Sequence, residues 1–108
     1  MVLLKIKNDN LIVKISGDLD LVLAKEFRDH VDKVLLDRPV KNLILDFSDV
    51  DFIDSSGLGA ILGRYKIMQQ RSGKMSIIGV KKSVYRVLEL SGILRIIPTF
   101  RVEEQKEA

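Results

Sequence analysis

Apolar and polar positions alternate along this chain at two periods, and the switches between them divide it into strands and helices. Leu3 to Lys7 and Leu11 to Ser16 are β-rich runs separated by Asn8-Asp9-Asn10, residues that tolerate the backbone of a tight turn. An opening hairpin is expected. Gly17 ends the second run, and from about Leu21 to Leu36 the residues Leu23, Phe27, Val31, Val34 and Leu35 recur at helical spacing among charged neighbours. Pro39 stops this amphipathic helix, because the residue before a proline avoids helical geometry. Asn42 to Phe47 follows as a near-continuous apolar run, which predicts a central strand covered on both faces.

Beyond the loop Asp51 to Ser56, a second helical stripe consists of Leu58, Ile61, Leu62, Tyr65 and Met68. It is expected to end at Ser72-Gly73, with the glycine as a left-handed cap. Met75 to Val80 predicts a fourth strand. Ser83 is placed to cap a third helix carrying Val84, Val87 and Leu88 and closed by Gly92. Ile93 to Phe100 then predicts a last strand, cut short by Pro98. The order β-β-α-β-α-β-α-β implies one α/β domain over residues 1–108. Its sheet is mixed and mostly parallel, of four to five strands, with the hairpin as antiparallel edge and helices packed on it. The charged tail Arg101 to Ala108 is expected to form a short helix or to fray.

Composition narrows the chemistry. The 108 residues are 46% hydrophobic and 31% charged, a globular balance. No run approaches the roughly 18 apolar residues of a membrane span, and the N-terminus is too quickly interrupted by lysines for a signal peptide. A cytoplasmic protein with no membrane partner is expected. With no cysteine, disulfides, thiolate metal sites and cysteine nucleophiles are all excluded. The formal charge of +3 is dispersed and few aromatics accompany it, which argues against nucleic acid.

Most apparent motifs fail on inspection. Gly57, Gly59 and Gly63 spell GxGxxxG, but some nine residues separate them from the strand ending at Phe47, and no acidic residue closes Met75 to Val80 to hold a ribose. A P-loop would need a lysine and then Ser or Thr where Arg64 and Tyr65 stand, so nucleotide hydrolysis has no visible machinery and no cofactor is expected. The glycines are better explained by close packing on the sheet or on a partner, above all Gly63, because each costs about 1 kcal/mol of helix propensity. Asp46, Asp49, Asp51 and Asp54 have the pattern of turn formers and solvated loop acids more than of a magnesium site, and the single histidine, His30, lies in the polar part of its helix without a nucleophile beside it. No metal site and no enzyme follow. The remaining candidate is Ser55-Ser56, behind Asp54 and at a helix start. There a serine is either an ordinary N-cap or a hydroxyl poised at the positive helix end to accept a phosphoryl group, and one can cap while the other stands free.

At Asp51 to Lys66, DFIDSSGLGAILGRYK, the chain resembles the anti-sigma factor antagonists of the STAS domain family, above all their sporulation type. GDLD at Gly17 to Asp20 and LELSGILRII at Leu88 to Ile97 match in order and spacing. The resemblance implies a regulator whose unphosphorylated form binds an anti-sigma factor that is also an ATP-dependent serine kinase, releasing a sigma factor. The kinase then phosphorylates the antagonist and a serine phosphatase reverses the mark. A STAS regulator of a general stress pathway is the alternative. Carried onto this sequence, the phosphorylated residue is Ser55, its neighbours are Asp20, Asp54 and Ser56, and the partner-binding surface includes Gly57, Leu58, Gly59, Ile61 and Arg64. The segment Leu21 to Ala24 is more apolar than the family pattern.

Overall fold

The computed structural model describes residues 1–102. The chain opens on a hairpin of β1 (Val2–Lys7) and β2 (Asn10–Ser16), turning through Asn8 at φ 55°, a left-handed conformation that asparagine tolerates. There follow α1 (Leu21–Asp37), β3 (Asn42–Asp49), α2 (Ser55–Gln70), β4 (Lys74–Val80), α3 (Lys82–Ser91), a 3₁₀ turn Ile93–Arg95 and β5 (Thr99–Arg101). The five strands lie in sequence order, β1 antiparallel to β2 and the rest parallel.

That order decides where the helices go. Each parallel crossover steps to the next strand in the same direction, and a right-handed crossover in a constant direction keeps α1, α2 and α3 on one face. Burial follows: Leu43, Leu45 and Phe47 of β3 are sealed beneath the helices, while Ile44, Asp46 and Ser48 on the other face are half-buried. Two-sided cover over Asn42 to Phe47, expected from its apolar run, is therefore corrected. The strand alternates, and Ile12, Ile44 and Ile78 look out from an open sheet face.

The core joins Leu11, Val13 and Ile15 of β2 and Met75 and Ile77 of β4 to Phe27 and Val31 of α1, Ala60, Ile61 and Met68 of α2, and Val84 and Leu88 of α3. Phe27 and Phe47 are wholly enclosed, each burial contributing about 1.5–3 kcal/mol. Arg71, just past α2, supplies what the end of α1 lacks. Its guanidinium donates to the Leu35 carbonyl (2.8 Å), near the end of the helix, and adds a second donor at 3.3 Å to the Arg38 carbonyl, which also accepts from Val40 N–H (2.9 Å).

Three local expectations change. The left-handed residue after α2 is Ser72, at φ 56°, and Gly73 serves clearance instead: a Cβ there would lie 2.6 Å from Met68 Cε and 2.8 Å from the Lys41 carbonyl. Ser83 does not cap α3, whose N-cap is Lys81 without a side-chain bond; Gly92 does close it, at φ 89°. The last strand starts only at Thr99. Ile93 and Ile97 are both buried four residues apart, a helical spacing, and the Ser91 hydroxyl accepts from Ile93 N–H to begin the 3₁₀ turn. Of the tail, Arg101 belongs to β5, and residues 103–108 lie outside the described residues.

Candidate functional site

Two loops at the carboxyl ends of β2 and β3 are stitched together. Leu19 N–H donates to the Phe52 carbonyl (2.8 Å) and Asp54 N–H to the Leu19 carbonyl (3.4 Å), and Leu19 and Ile53 form a parallel bridge with both side chains buried. The starts of α1 and α2 are thereby held side by side. Each is capped by an aspartate with extended backbone: Asp20 Oδ1 accepts from Leu23 N–H (3.1 Å), and Asp54 Oδ1 from Ser56 N–H (2.8 Å) and Gly57 N–H (3.2 Å).

This arrangement answers what the sequence left open about the two serines. Asp54 performs the capping, so neither hydroxyl is needed for it. Ser55 is the first residue of α2 and exposed, its hydroxyl making no hydrogen bond among the described residues, and Ser56 beside it is half-buried. A negative group on Ser55 would stand at the positive end of the α2 macrodipole, where anions are favoured by about 0.3–1 kcal/mol. It would also stand directly after the capping carboxylate of Asp54.

Gly57 is where backbone meets backbone. A Cβ there would fall 2.6 Å from the Leu19 carbonyl oxygen and 2.8 Å from both Ile53 Cγ1 and Leu19 Cγ, so only glycine lets α2 start this close to the stitched loops. Gly59 and Gly63 differ: a Cβ at either meets nothing within 4 Å. Close packing of Gly63 on the sheet, expected from its helix cost, is corrected; among the described residues its face is free.

The remaining predicted contacts divide by helix face. Leu58 is half-buried and Gly59 exposed, but Gly57, Ile61 and Arg64 lie inward among the supports of α2. Arg64 reaches across to α1, its Nε 3.0 Å from Asp32 Oδ1 with the N–H out of line, so the contact is an ion pair and not a hydrogen bond. Burial pushes its guanidinium below the ordinary arginine range, with Asp32 opposing that shift and Arg28 adding to it. Sequence reasoning also put Leu62 in the buried stripe, whereas it is 40% exposed. Its spacing of seven from Ser55 was the available signal, since Ser55, Gly59, Leu62 and Lys66 share one exposed face. Leu21 and Val22, in the segment already noted as unusually apolar, and Phe52 in the neighbouring loop, which the pattern did not flag, add exposed apolar surface.

The loop acids are individually occupied. Asp46 accepts from Ser48 N–H, Asp49 pairs with Lys14, Asp51 with Lys81, and Asp54 caps α2. Among the described residues, no three His, Cys, Asp or Glu side chains converge as metal ligands, and no helix is long and apolar enough to cross a membrane.

The STAS domain model matches residues 1–106. The chain belongs to the STAS domain family. An anti-sigma F factor antagonist from Paenibacillus polymyxa is 39% identical over 90 residues, covering 83% of this chain and 77% of the relative. The unphosphorylated form of the anti-sigma factor antagonist SpoIIAA superposes with a TM-score of 0.82 at 22% identity, over 92% of this chain and 87% of that one. The phosphorylated form of SpoIIAA, a Bacillus cell fate determinant, gives 0.74 at 21% identity, over 92% and 90%. At these identities the two structures establish the fold: a STAS domain with five strands in one mixed sheet, an N-terminal hairpin and three helices.

Proposed function

We propose that this STAS domain is an anti-sigma factor antagonist switched by phosphorylation of Ser55. The observation that carries the reading is the free, exposed Ser55 hydroxyl at the first position of α2, relieved of capping by Asp54. The similarity to an anti-sigma F factor antagonist supports the class of partner and a place in sporulation. That partner is an anti-sigma factor that is also an ATP-dependent serine kinase, and a serine phosphatase restores the hydroxyl.

Charge supplies the mechanism. A phosphate adds about −1.5 to −2 units at neutral pH, beside the carboxylates of Asp54 and Asp20. An interface shaped around a neutral hydroxyl must then desolvate a dianion among acids. Moving a population from mostly bound to mostly free takes roughly 5.5 kcal/mol of differential affinity. Mispairing one buried interfacial charge commonly costs about 2–5 kcal/mol, so one phosphate supplies most of what is needed. The test is incubation with the anti-sigma factor kinase and ATP. Phosphate is expected on Ser55 alone, with complex formation lost afterwards. Incorporation that persists in Ser55→Ala, or an unchanged complex lifetime in Ser55→Asp, refutes the proposal.

A further inference from the structure

One face of the sheet carries no helix. β3 and β4 each run parallel to both of their neighbours, an arrangement that is ordinarily covered on both sides, yet α1, α2 and α3 all lie on one. Register fixes what the bare side presents. Ile78 stands opposite Asp46, and Phe100, next to the Thr99 that pairs with Ile77, turns outward with Ile78. Ile44, Ile78 and Phe100 therefore form an apolar stripe across β3, β4 and β5, with Ile78 37% and Phe100 58% exposed. A cavity opens at each end of β4. At the amino end about 230 Å³ is bounded by Ile44, Lys74, Ser76 and Pro98, and at the carboxyl end about 360 Å³ by Ser48, Lys81, Lys82, Arg101 and Val102. Every charge in the two linings is a cation. Lys74 and Lys82 pair with no acid among the described residues, Lys81 is shared with Asp51, and Arg101 sits 5.3 Å from the Tyr85 ring centre. The carboxylate between the cavities, Asp46, is already engaged by Ser48 N–H at 2.9 Å.

We infer that this face docks an amphipathic helix of a partner protein, apolar along the side that meets Ile44, Ile78 and Phe100 and acidic at both ends. The span sets its length: β4 has seven residues, about 23 Å at roughly 3.3 Å each, which a helix of about fifteen residues matches. Charge sets its ends, because carboxylates there meet Lys74 on one side and Lys82 and Arg101 on the other. Helices are also what the opposite face of the same strands accepts. Two copies of this chain placed face to face would instead set cations against cations. The sheet itself stands between this site and α2, so docking here is separate from whatever meets Ser55.

The experiment titrates the full chain with two synthetic helical peptides of about fifteen residues, each with leucines along one side, one ending in glutamates and the other in lysines. Affinity is read by calorimetry and location by amide chemical shifts. The glutamate peptide is expected to bind at least about tenfold more tightly, to lose that advantage as salt rises, and to shift the amides of Ile44, Ile78 and Phe100. Phe100→Thr, which keeps a strand-forming residue, is expected to weaken it roughly tenfold, and Lys82→Glu by a similar factor. Lys82→Glu places an acid in the first turn of α3, where it stabilises the helix, so its loss of affinity is not loss of fold. Equal affinity for the two peptides, or full affinity in Lys82→Glu, overturns the docking site. Another occupant overturns it too: self-association of the chain through this face, sedimentation with anionic lipid vesicles that Lys82→Glu abolishes, or contacts from residues 103–108 to Ile78 in the free chain.

Discussion

Alanine at Gly57 and alanine at Gly59, two residues apart in one helix, should change stability in opposite directions. At Gly57 the new methyl meets the Leu19 carbonyl oxygen at 2.6 Å and the Leu19 and Ile53 side chains at 2.8 Å, about 1 Å inside ordinary contact. The Leu19 oxygen is fixed by its bond from Asp54 N–H and cannot swing aside as a flexible side chain would. Overpacking of this kind costs about 1–3 kcal/mol, against a propensity gain that is under about 1 kcal/mol in a first turn. A net loss of about 1–2 kcal/mol follows. At Gly59 the methyl enters open space, so only the propensity gain remains, about 0.5–1 kcal/mol. For a domain of this size, 1 kcal/mol moves Tm by about 4 °C. Gly57→Ala should therefore melt about 4–8 °C lower and Gly59→Ala about 2–4 °C higher, with matching shifts in urea midpoint. Equal stability in the two variants would show that the stitched loops yield freely, and would remove the argument that Gly57 fixes the seat of Ser55.

Other expectations follow from single contacts. Asp54→Ala uncaps two amides of α2 and should cost about 1–2 kcal/mol in denaturant unfolding, with Asn restoring most of it. Arg71→Ala leaves the Leu35 carbonyl without its side-chain donor, while the Arg38 carbonyl keeps its bond from Val40 N–H, and should cost about 1 kcal/mol; Lys should recover only part because it cannot reach both acceptors with a rigid fork. Asp32→Ala strips the inward Arg64 of its counter-charge and should destabilise by about 1–2 kcal/mol, since Asp32 itself is partly exposed and screened. The double variant Asp32→Ala with Arg64→Met should regain most of that loss, as a chemical denaturation cycle will measure.

The fold was legible where periodicity was long and punctuation clear. The hairpin around Asn8, the helix from Leu21 and the strand Met75 to Val80 agree with the structure to within a residue or two. It was illegible where one composition serves two geometries. Ile93 to Phe100 is as apolar as a strand, but the left-handed Gly92 and the hydroxyl of Ser91 turn its first half into a 3₁₀ turn, so only the residues after Pro98 pair with β4. Likewise NLILDF reads as continuously apolar, and only the constant direction of the crossovers shows that one of its faces has no helices. At the site, the place of Asp54 and the two serines at a helix start was visible in sequence. The direction in which Ile61, Leu62 and Arg64 point was not, because α2 carries apolar residues around most of its circumference and a stripe alone does not choose the inward face.

If Ser55 carries the proposed phosphate, the division of labour at the start of α2 bears on how often that mark can be written and erased. Since the aspartate before it ties off the helix, the serine side chain can gain and lose a bulky anion while every bond that holds the helix end stays in place. Under the proposed function, each cycle would return the same molecule with its helix cap intact, ready for the next signal without fresh synthesis.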